Sequence, residues 1–79
     1  MQLSIKGLAL ALGLAWGGGV ALLGLAASLG WGRALVEVLG SVYVGFGPSP
    51  LGSAIGGLWA FVDGALGGIV IAWLYNRFS

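Results

Sequence analysis

Two long apolar runs dominate the chain, and a stretch with helically spaced polar residues separates them. The first run, residues 5–29, carries only Lys6 near its start and Ser28 near its end as polar side chains. As a helix it spans roughly 37 Å at about 1.5 Å per residue. That exceeds a hydrocarbon core of about 30 Å, so the run can cross a bilayer with some tilt. It is also longer than the apolar core of a signal peptide, about 7–15 residues, and reads as a retained transmembrane helix.

Between about 31 and 45 the pattern changes. Arg33, Glu37 and Ser41 recur every fourth residue, while Leu35, Val36, Val38, Leu39 and Val42 fill the other face. This is the pattern of a short amphipathic helix, expected to lie at the membrane interface. Trp31 and Tyr43 suit that depth, because each ring is apolar with one polar handle. Arg33 precedes Glu37 at i,i+4, the less favourable order, so the pair adds little to helix stability. The Gly45-Phe46-Gly47-Pro48-Ser49-Pro50 cluster then breaks the helix, and Pro50 is placed to start the next one. The second apolar run, 51–75, ends in Trp73-Leu74-Tyr75-Asn76-Arg77. Aromatics followed by Asn and Arg form an interfacial anchor. The predicted fold is an all-α membrane protein. Residues 1–79 form a single two-transmembrane-helix hairpin, with a short interfacial amphipathic helix between the spans.

Composition agrees with this class. The 79 residues are 59% hydrophobic and 6% charged, with a mean hydropathy of +1.10. Three basic and two acidic residues cannot cover a water-soluble globule. Cysteine and histidine are both absent. Disulfides, thiolate chemistry and the commonest metal ligand and general base go with them, so no metal, cofactor or enzymatic activity is expected. A net charge of +1 without a basic run gives no reason to expect a nucleic-acid partner. Membrane lipid is the expected surrounding. A hairpin puts Lys6 and Arg77 on one side and Arg33 on the other, which favours cytoplasmic termini by the positive-inside rule.

The second run carries a small residue at every fourth position: Gly52, Gly56, Ala60, Gly64, Gly68 and Ala72. Small residues let helix backbones approach closely in lipid, where apolar burial gives little drive to associate. Gly13 and Gly17 belong to a similar row in the first run, and Gly67 lies just off the main row of the second. These are expected packing faces. The partner is either the first helix or another subunit, so a homo-oligomer or a place in a larger membrane complex is expected.

Asp63 is the only formally charged residue of the 51–75 run. A carboxyl group at that depth costs about 2.5–3.5 kcal/mol on insertion scales, which makes it a functional-site candidate. At about 100° per residue it borders the face of Gly56, Ala60 and Gly67. No Lys, Arg or His lies at mid-span, so its partners must be hydrogen-bonding groups. Trp16 is the expected one, because it too is near mid-span and its indole N–H can reach a carboxylate across an antiparallel hairpin.

Several stretches carry a resemblance. They are Gly13-Leu14-Ala15-Trp16-Gly17, Ser49-Pro50-Leu51-Gly52-Ser53, Trp59-Ala60-Phe61-Val62-Asp63-Gly64, Gly67-Gly68 and Ala72-Trp73-Leu74-Tyr75-Asn76. Together they resemble a family of small two-span membrane proteins labelled bacteriophage-holin-like. The resemblance implies a multi-pass protein of the bacterial inner membrane that self-assembles into a pore or scaffold. A second resemblance is to the c subunit of the rotary ATP synthase, in length, hairpin form, first-helix glycines and a mid-membrane carboxylate. It implies that Asp63 carries a proton or sodium ion. The Gly-Pro-Ser-Pro connection and the stronger glycine row in the second run depart from that family. Aromatic-anchored two-span chains with small-residue faces also suit a structural accessory subunit of a respiratory, photosynthetic or transport complex.

Overall fold

Ser4 opens the first helix. Its side-chain oxygen accepts the Gly7 N–H at 3.0 Å, satisfying one donor that the first turn leaves unpaired. The helix, α1, then runs unbroken over Ile5–Ser28. The structure, a computed structural model, describes residues 2–79. α1 ends in a Schellman turn: Gly30 N–H reaches Ala27 O at 2.9 Å and Trp31 N–H reaches Ala26 O at 3.1 Å. Gly30 makes that turn possible by taking φ +104°, which other residues rarely adopt.

The chain immediately starts α2, Arg33–Gly40, from Gly32. The short amphipathic helix expected over 31–45 is therefore present, in a shorter form. It packs on the side of α1 and runs back along it, from the level of Ala27 toward that of Trp16. Val36 is its buried residue. Residues 41–49 contain no regular helix and return toward the same end of the molecule. Along the way Val44 O accepts the Trp59 indole N–H at 2.8 Å, and Gly47 meets Gly52.

The third helix, α3, begins at Pro50 and continues to Phe78. Ser49 caps it by accepting the Gly52 N–H at 2.9 Å, and Pro50 fills a first-turn position where no amide donor is missed. α3 lies antiparallel against α1 for most of its length, giving a body 44 Å long and under 20 Å across its other axes, 18 and 17 Å. Both long helices are long and apolar enough to cross a membrane.

The hairpin packs in two ways. Toward the termini, α1 and α3 touch directly through small residues. Gly64 comes against the Leu12 carbonyl and Gly68 against Leu8 and Ala9. Toward the connection, a third layer enters, and Val20, Ala27, Val36, Tyr43, Phe46 and Ala60 form the buried cluster. At the open end, Asn76 clasps the backbone of Leu3, just before α1. Its Oδ1 accepts Leu3 N–H at 2.7 Å and its Nδ2 donates to Leu3 O at 2.9 Å.

Candidate functional site

Tyr43 stands at the turning point of the connection. Leu39 O accepts its backbone N–H at 2.8 Å, and this holds it just beyond α2. From there the ring enters the gap between α1 and α3, where the residue is only 5% exposed. Its hydroxyl donates to Asp63 Oδ2 at 2.6 Å and accepts the Trp16 indole N–H at 2.9 Å. The order of these bonds follows from the groups involved. An indole nitrogen only donates, so Tyr43 receives that proton on a lone pair and has its own proton for the carboxylate. Three segments of chain thus converge on one hydroxyl.

This corrects two expectations. Tyr43 was expected as an interfacial anchor, but it is buried in the protein and bonded to mid-helix groups. Trp16 was expected to donate directly to Asp63, but the Tyr43 hydroxyl lies between them. The reason is the path of the connection. It carries an aromatic side chain into the hairpin at the level where Trp16 and Asp63 face each other.

Asp63 itself is exposed on the molecular surface. It lines a shallow groove of about 330 Å³ with Leu12, Ala15, Trp16, Gly64 and Gly67. The nearest cation on its own helix, Arg77, is about 21 Å along the axis. The carboxylate therefore has one oxygen held by Tyr43 while its surroundings are otherwise the apolar walls of the groove.

The small residues divide among three duties. Gly13 and Gly17 of α1 receive Phe61, and Gly17 also approaches the Gly57 carbonyl. Gly64 and Gly68 meet the α1 backbone so closely that an added Cβ would lie 2.5 Å from Leu12 O and 2.7 Å from Leu8 O respectively. Gly52 and Gly56 face the returning connection instead, against Gly47 and the Phe46 ring. Ala60 is fully buried within the central cluster. Gly67 is different, because a Cβ there would meet open space in the Asp63 groove. Most of the small-residue row is thus consumed within the chain.

The remaining candidates lie toward the two ends. Trp31 is exposed beside the α1–α2 connection, and Arg33 Nε donates to Ala27 O at 3.2 Å. Trp73 and Tyr75 are exposed near the opposite end of the hairpin, with Arg77 in the last turn of α3. Sequence reasoning had no signal for the Asn76 clasp, which pairs residues 73 positions apart. Compared with known protein families, curated proteins and solved structures, the chain matches none of them.

Proposed function

We propose that the chain is an integral protein of the bacterial inner membrane that spans it with α1 and α3. On this reading it self-associates through the Asp63 groove into a pore or scaffold of the holin-like kind, with cytoplasmic termini. The observation that carries the proposal is an exposed carboxylate midway along an apolar helix. Facing lipid, that group costs about 2.5–3.5 kcal/mol. A neighbouring copy laid in the groove removes the exposure. Ala15, Gly64 and Gly67 line the groove, so another helix can approach closely there.

In the same reading, α2 and residues 41–49 form a re-entrant element rather than an interfacial one. Irregular backbone survives at membrane depth only when it is covered by protein or lines a wet cavity. This segment meets that demand largely within the chain. Tyr43 N–H and Phe46 N–H donate to Leu39 O and Tyr43 O, and Val44 O accepts from Trp59.

Native mass spectrometry after mild detergent extraction tests the proposal, using wild type and Gly67→Leu. A Cβ at Gly67 meets nothing in the fold, so the added side chain occupies the groove and leaves the α1–α3 backbone contact alone. A wild-type homo-oligomer that falls to monomer in Gly67→Leu supports it. A wild-type monomer, or an oligomer indifferent to the change, contradicts it. Stoichiometric recovery with a large membrane enzyme would replace it with the accessory-subunit reading.

A further inference from the structure

A second concavity lies on the other side of Trp16, between α1 and α2. It encloses about 540 Å³, and its walls include Trp16, Gly19, Leu23, Trp31, Leu35 and Leu39. That volume is in the range of small-molecule sites, about 300–1,000 Å³. From Ala26 to Trp16 it extends ten residues of α1, about 15 Å along the axis. Its lining is apolar throughout, and the one cation near it, Arg33, lies just outside the mouth. The deep end is closed by Trp16, whose only donor is already used by Tyr43. The shallow end holds Trp31, and next to it Arg33 is fixed over the last turn of α1 by its bond to Ala27 O. That bond uses one of five guanidinium N–H groups.

We infer that this cleft binds one phospholipid. The acyl chain lies between α1 and α2 down to Trp16, and the headgroup phosphate meets Arg33 at the mouth. A long apolar slot without a free donor at its base excludes a polar ligand, because buried polar groups need partners. A cation at one end of that slot complements a phosphate attached to a hydrocarbon tail. Arg33 also binds phosphate oxygens in a geometry that a lysine would not supply. The bound chain fills the space between α2 and α1, and so supports the element that carries Tyr43.

This inference rests on the membrane reading above, and the test separates the two. Membranes carrying the chain are first washed with alkaline carbonate. Protein is then extracted in mild detergent, mixed with 1-palmitoyl-2-oleoyl phosphatidylglycerol, and its bound lipid counted by native mass spectrometry. Gly19→Leu places a side chain in the cleft, where a Cβ meets nothing in the fold, and Gly18→Leu is the matched change on an equally open site outside it. Wild type and Gly18→Leu are expected to retain one lipid per chain. Gly19→Leu is expected to lower the lipid-bound fraction about tenfold or more, and Arg33→Gln to lower it several-fold. Release by carbonate overturns the membrane reading and the lipid site together. Retention in the membrane with equal lipid counts in all variants overturns the lipid site alone. A change of oligomeric state in Gly19→Leu without a change in lipid count makes the cleft a subunit interface and also overturns it.

Discussion

The Tyr43 hydroxyl donates to Asp63 Oδ2 across 2.6 Å, joining two residues 20 positions apart at the middle of the hairpin. Because Trp16 donates to the same hydroxyl at 2.9 Å, the bond ties the connection to both long helices at once. The relationship gives the connection a fixed depth. It also gives the Asp63 carboxyl a hydrogen-bond donor in an otherwise apolar helix.

Tyr43→Phe keeps the ring and removes the hydroxyl, leaving the Trp16 N–H and Asp63 Oδ2 without their partner. A stability loss of about 0.6 kcal/mol is expected, the average for interhelical hydrogen bonds in membranes, with about 1.7 kcal/mol as the upper end. The midpoint of unfolding by sodium dodecyl sulfate, followed by circular dichroism, reads it. A double-mutant cycle with Asp63→Asn should show that the two losses are not additive. Additive losses would mean that the pair does not interact in solution.

Gly64→Leu and Gly68→Leu push side chains into the α1 backbone. Overpacking of this kind costs about 1–3 kcal/mol, and here the obstacle is main chain, which cannot swing aside. Both variants should lower the unfolding midpoint more than Gly67→Leu, which leaves the α1–α3 contact in place and acts only through subunit association. Equal effects at all three positions would contradict the assignment of Gly64 and Gly68 to the α1 contact.

The register of α1 on α3 is open to a covalent test. An added Cβ at Gly57 lies 3.1 Å from the Ala21 Cβ, close to the spacing of about 3.5–4.5 Å that a disulfide spans. The chain has no cysteine of its own, so the double variant Ala21→Cys, Gly57→Cys has no competing thiol. It should oxidise to an intramolecular disulfide, seen as a mobility shift reversed by reductant. Ala21→Cys with Ala65→Cys, displaced about 12 Å along α3, should not.

The long helices were legible because their signals are local. The apolar runs are uninterrupted, the Gly45–Pro50 cluster breaks the chain between them, and Pro50 marks the start of the second. The short helix was legible from the spacing of Arg33, Glu37 and Ser41. The entry of Tyr43 between the two long helices was missed because Tyr43 was read one residue at a time, as an aromatic near a turn. In the connection, Tyr43 and Phe46 are buried three positions apart, while Val42 and Val44 are exposed. The glycine row showed that close packing was needed, but spacing could not say that Gly52 and Gly56 receive the connection while Gly64 and Gly68 receive α1. The partner of a small residue lies elsewhere in the sequence and leaves no mark on the row itself.

The most direct measurement concerns how deep the connection sits in a bilayer. Val42 is 67% exposed on the protein surface beside Tyr43, and Leu29 is 90% exposed at the α1–α2 connection. Single variants Val42→Cys and Leu29→Cys can be treated with a membrane-impermeant maleimide in sealed vesicles of both orientations. A re-entrant connection held at the level of Asp63 leaves Val42→Cys unlabelled from either side until detergent is added, while Leu29→Cys labels from one side. Labelling of Val42→Cys in intact vesicles, from the same side and at the same rate as Leu29→Cys, would place the connection at the surface and contradict the Tyr43–Asp63 attachment within the membrane.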